Sequence, residues 1–139
     1  MFIDDYPLNY LAILVGGLVY FIIGAIWYAP GIFGHRWLKH DELPPADQKS
    51  WSFKAGAYIG EFILDLIIAY VLALFLLLSG AERLAEGAMV ALWAWIGFIA
   101  TTHFSAVLWS HRTLKNFFIH AIFMLVALIA TAITIVYLS

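Results

Sequence analysis

The sequence predicts an all-α, polytopic membrane protein with four transmembrane helices, and three observations carry that prediction. First, 65% of the 139 residues are hydrophobic and only 12% are charged. A soluble domain is usually about 45–50% apolar and about 25% charged. A fold of this size has too little interior to hide so much apolar surface, so the bilayer must act as part of its solvent. Second, four apolar runs each reach the length of about 20 residues that a helix needs to cross about 30 Å of hydrocarbon. Third, the breaks between the runs hold prolines, glycines and most of the charge. The length allows a single four-helix transmembrane domain over residues 1–139.

The first run extends from residue 8 to about 28 and is stopped by Pro30 and Gly31. Its flank carries Asp4 and Asp5 where a cleaved signal would carry positive charge, and no small-residue cleavage site follows, so it reads as a retained helix. The second run covers about 53–78 and ends at Ser79-Gly80. The third covers 87 to about 109 and the fourth 117–138.

Orientation follows from the basic residues in short loops. Arg36, Lys39, Lys49 and Lys54 lie in or beside the first loop, Arg112 and Lys115 in the last turn, and only Arg83 on the other side. Both termini are therefore expected outside (N-out/C-out), with the basic loops in the cytoplasm and the chain in the cell inner (cytoplasmic) membrane. Trp27, Tyr28, Trp37 and Trp109 are placed as interfacial anchors, joined by Trp51. Within the first loop, Ile32, Phe33, Trp37 and Leu38 recur near a helical period, which suggests a short interfacial helix after helix one. Glu42-Leu43-Pro44-Pro45 ends it.

The string Gly24-Ala25-Ile26-Trp27-Tyr28-Ala29-Pro30-Gly31-Ile32-Phe33-Gly34, closed by Trp37, resembles the signature of a known family. So does Gly97-Phe98-Ile99-Ala100-Thr101-Thr102, followed by a basic turn and Leu114-Lys115-Asn116-Phe117-Phe118-Ile119. The family is the small bacterial four-span membrane proteins grouped as domain of unknown function 1761, and the resemblance covers nearly the whole chain. It implies the helix count and loop pattern but no activity. Where the family pattern usually has Asn after the same Ile, this chain has His120, and acidic residues in helix two are not part of that signature. The ionisable groups therefore read as particular to this chain or a subgroup.

Those groups are Glu61 and Asp65 in helix two, His103 in helix three and His120 in helix four. Glu61 and Asp65 stand one turn apart on one face. Ionisable side chains are costly in hydrocarbon and turn toward a bundle interior or cavity. At about 1.5 Å per residue, Glu61 and His103 lie about 10–12 Å from the cytoplasmic ends, His120 about 6–8 Å and Asp65 about 18 Å. Glu61 and His103 are thus expected as a central pair, with Asp65 deeper and His120 near the cytoplasmic mouth.

The preferred function on this basis is channel- or transporter-like: passage or exchange of protons or a small cation along these four residues, since histidine titrates near neutral pH and carboxylates trade protons with it. The alternative is a structural or accessory subunit of a larger membrane complex, in which the same residues only pair with one another. Glu61, His103 and His120 are also candidate ligands for a transition metal such as zinc or iron. His103 and His120 could ligate a haem, although their unequal depths argue against it. No cofactor is otherwise implied.

Small residues mark packing faces. Helix three carries Gly87, Ala91, Ala94, Gly97, Thr101 and Ser105 at spacings of three and four, which makes it the candidate for the bundle centre or a subunit interface. Helix one carries Ala12, Gly16, Tyr20 and Gly24, and helix four carries Asn116, His120, Met124, Ala127, Thr131 and Thr134. Four helices enclose little interior, so a homo-oligomer or a membrane-protein partner is expected beside the lipid bilayer. The formal net charge of −2 gives no basic patch for nucleic acid. The absence of cysteine excludes disulfides and thiolate chemistry. No phosphate loop or nucleophile elbow is present and the loops are short, so an enzyme is not expected.

Overall fold

The computed structural model describes residues 8–27, 51–110 and 113–139. Among them all regular structure is helical. The elements are α1 (Tyr10–Trp27), α2 (Trp51–Ser79), α3 (Leu84–Ala94), a π-helical segment (Trp95–Ala100), α4 (Thr101–Trp109) and α5 (Leu114–Leu138). The segments α3, π and α4 run on as one span, so four helices are long and apolar enough to cross a membrane. The interfacial helix expected after helix one, with Tyr28 and Trp37, lies outside the described residues.

Local chemistry sets the ends. Asn9 caps α1, its Oδ1 accepting from the Ala12 N–H at 3.1 Å. Gly80 closes α2 in a left-handed conformation at φ +74°. Around it the Ala81 N–H reaches back to the Leu76 carbonyl at 3.0 Å, a closure that a side chain at residue 80 would strain. The third and fourth helices each begin three residues before the expected 87 and 117. In α3, Glu86 Oε1 reaches back to the Arg83 N–H at 2.9 Å and the Glu82 N–H at 3.2 Å. In α5, the Thr113 hydroxyl oxygen accepts from the Asn116 N–H at 3.1 Å. Both caps satisfy donors that the hydropathy pattern does not register.

The bundle is built around α5, which packs on α1 and α3 and also meets α2, the π segment and α4. Within an 18-residue apolar stretch of the last span 39% of residues are buried, against 11% in the corresponding stretch of the third. Helix three, the candidate for the bundle centre or a subunit interface, is thus a flank of the protomer and not its centre. Its small-residue seam is divided: Gly87 and Ala91 are buried, whereas Gly97, Thr101 and Ser105 are exposed. The π segment, which holds Gly97, starts between the two halves and shifts the helical phase.

The other small-residue stripes do pack. A Cβ on Gly16 would lie 3.1 Å from Ile135 Cγ1, and one on Gly24 would lie 3.3 Å from the Phe123 ring. Gly16 and Gly24 therefore serve contact between α1 and α5 within one chain. Thr131, fully buried, shares its hydroxyl between the Ala127 carbonyl at 2.8 Å and the Gly16 carbonyl at 3.3 Å. Asn9 Nδ2 donates to the Leu138 carbonyl at 2.9 Å, so both ends of the described chain meet at one end of the bundle, as an even number of spans requires.

Candidate functional site

Asp65 stands at the middle of the 29-residue α2. It is 1% exposed, and neither carboxylate oxygen finds a hydrogen-bond partner among the described residues. Beside it, α1 approaches α2 through Gly17. A Cβ there would lie 2.7 Å from Leu66 Cδ2, 3.2 Å from Leu66 Cα and 3.4 Å from the Asp65 carbonyl oxygen. Hydrogen on Gly17 thus lets the two backbones close up at the level of Asp65. Tyr20, one turn along α1 and 2% exposed, interacts electrostatically with Asp65 and Glu61. Tyr20 was read from sequence only as part of a packing stripe. A lone tyrosine in an apolar run carries no signal until its neighbour on the facing helix is known.

Glu61 is exposed on the outer surface of the protomer, one turn from Asp65, and the two carboxylates interact electrostatically. The expected central pair of Glu61 and His103 is not assembled. The helix α2 packs on α1, α5 and α3, while His103 lies on α4 and faces α5. Similar depth did not mean a shared face.

His103 pairs with His120 instead, their ring centroids 5.1 Å apart and their planes tilted by 47°. His103 Nδ1 lies 2.9 Å from the Ile99 carbonyl. A carbonyl only accepts, so Nδ1 carries the hydrogen. His103 also completes a local pattern. Thr101 donates to the Gly97 carbonyl at 2.8 Å and Thr102 to the Phe98 carbonyl at 2.5 Å. Three successive side chains therefore serve the carbonyls of residues 97, 98 and 99, where the backbone ladder changes from π to α. His120 packs on Phe123 with the ring planes tilted by 41°, at 5.9 Å between centroids. Indole donors flank its position on α5: Trp27 Nε1 bonds the Ile119 carbonyl at 3.1 Å and Trp95 Nε1 the Ala121 carbonyl at 2.9 Å. Trp27 thus ties α1 to α5 besides standing at the end of its span, while Trp109 is 87% exposed at the end of α4.

Among the described residues no three His, Asp or Glu side chains come together as metal ligands, so Glu61, His103 and His120 do not form a metal set. A haem between the two histidines does not fit either. Axial ligands stand on opposite sides of the porphyrin, and rings 5.1 Å apart leave no layer for it. A cavity of about 340 Å³ lies elsewhere, where the termini meet. Asn9, Ala73, Leu76, Glu82 and Ile135 are among its walls, and Asp65 is not.

Four apolar spans enclosing a buried carboxylate define a multi-pass membrane protein in contact with the lipid bilayer. The family described as "Protein of unknown function (DUF1761)" matches over residues 11–136, and the chain belongs to it. No curated protein and no solved structure matches the chain.

Proposed function

We propose that this protein passes or exchanges protons or a small cation through the membrane, with Asp65 as the group that holds the ion. The observation that carries this reading is the Asp65 carboxylate, fully enclosed in mid-helix with both oxygens unpartnered among the described residues. A carboxylate kept for packing alone would be expected beside a donor or a cation, because a bare anion in hydrocarbon is costly. Glu61, one turn along the same helix and exposed, is the group through which the ion is handed on. His103 and His120 form a separate titratable pair toward the end of the bundle where α4 turns into α5. The chain is placed in the bacterial inner membrane with both termini outside, as its basic loops favour.

The test is flux into vesicles holding the purified protein, followed with an internal pH dye and with sodium and potassium tracers. Wild-type protein is expected to conduct, Asp65→Asn to abolish flux, and Glu61→Gln and His103→Ala to lower it. Folded wild-type protein that conducts nothing would overturn the reading.

One observation favours a second reading, that of an accessory subunit or homo-oligomer. Gly97, Thr101 and Ser105 line an exposed face of the third span, where small residues let another helix approach closely. Cross-linking from cysteines placed at 97 and 105 in membranes would capture such a neighbour.

A further inference from the structure

We infer that the ion held by Asp65 is a proton, carried as the neutral acid inside the seam between α1 and α2, and not a sodium or potassium ion. This rests on the reading of Asp65 as the ion-holding group. The first support is the number of ligands. A metal cation that sheds its water must replace the shell with several oxygens at once. The Asp65 side chain offers two oxygens, and no three carboxylate or imidazole groups gather among the described residues. Among the described residues, the charged and titratable groups that interact with Asp65 are Glu61 on its own helix and Tyr20 on α1. On α5, the buried hydroxyl of Thr131 is committed to the Ala127 and Gly16 carbonyls.

The second support is space. At Gly17 the two helices are so close that a single added carbon would meet Leu66 Cδ2 at 2.7 Å. Both Asp65 oxygens are closed to solvent. A proton needs one lone pair and no added volume, whereas a cation with its ligands needs a cavity. Loading moves one proton from water or from Glu61 onto one Asp65 oxygen, forming one O–H bond and breaking another. Unloading reverses this, and no other bond changes. The neutral acid also removes the bare charge that the apolar seam cannot solvate.

Infrared spectroscopy of wild-type protein in lipid vesicles at neutral pH tests this. The expected result is a carbonyl stretch of a protonated carboxylic acid that shifts when aspartate is labelled with carbon-13 at the side-chain carboxyl. The other aspartates, Asp4, Asp5, Asp41 and Asp47, fall outside the apolar runs. The band should vanish in Asp65→Asn and stay unchanged when sodium or potassium chloride replaces an organic-cation salt at fixed pH. The isotope shift is read in wild-type protein, so the result survives a poorly folded variant. Absence of the band, or its loss on adding sodium or potassium, overturns the proton assignment. A band without vesicle flux leaves the proton site standing and removes the transport reading. Flux without the band does the reverse.

Discussion

Gly17 of α1 lies directly against Leu66 of α2, close enough that a Cβ would sit 2.7 Å from Leu66 Cδ2 and 3.2 Å from its Cα. The side-chain end can swing aside, but the backbone atom cannot. Gly17→Val should therefore force α1 and α2 apart and destabilise the bundle by about 1–3 kcal/mol, the usual cost of overpacking. Gly60 has nothing within 4 Å of its added carbon, so Gly60→Ala should be neutral or slightly stabilising. The unfolding midpoint in detergent, compared between the two variants, checks both statements. Gly17→Val should also admit water to Asp65, seen as faster hydrogen–deuterium exchange of the α2 backbone around residue 65.

Trp95 holds the π segment to α5 through one bond, from its indole N–H to the Ala121 carbonyl at 2.9 Å. Trp95→Phe keeps most of the ring and removes the donor. The expected loss is about 1 kcal/mol, measured as a lower unfolding midpoint. Exchange protection should fall first in residues 95–100.

Thr131→Val isolates an interhelical hydroxyl. Its bond to the Ala127 carbonyl lies within α5, and only the longer one, at 3.3 Å, crosses to Gly16. The change should cost about 0.6 kcal/mol, the ordinary size of such bonds within membranes. A much larger loss in a stability titration would mean that the crossing bond carries more than its length indicates.

Treatment of the purified protein with a chelator should leave its unfolding midpoint and any flux unchanged, because no three metal-ligating side chains meet among the described residues. Elemental analysis of protein before and after chelation provides the check. A stoichiometric metal whose removal lowers the midpoint would contradict it.

Asn9→Ala should loosen both ends of the chain together. The side chain caps α1 through Ala12 and holds the Leu138 carbonyl at 2.9 Å. Loss of the cap costs about 1 kcal/mol in a typical helix. Limited proteolysis should then cut earlier near both termini while the centre of the bundle keeps its protection.

The four spans were legible because hydrocarbon imposes a length and a polarity that composition alone reveals, and Asp65 stood out because charge is rare there. The stripes holding Gly16, Gly24 and Thr131 were also readable, since small residues every fourth position must share a face. The partner of His103 was not readable. Its depth matched Glu61, yet the rotation of each helix about its axis brings it to His120, 5.1 Å away between ring centroids. The π segment at residues 95–100 was equally hidden, because no residue type announces it.

By itself, the sequence determined that this is a four-span membrane protein and that Glu61, Asp65, His103 and His120 are its costly residues, because transfer into lipid is a property of each residue and each run. Only the tertiary structure decided that Asp65 is enclosed against Gly17 while Glu61 faces outward, and that α5 rather than the third span is the centre. Those outcomes depend on which helix faces meet, and facing is set by packing between runs far apart in the chain.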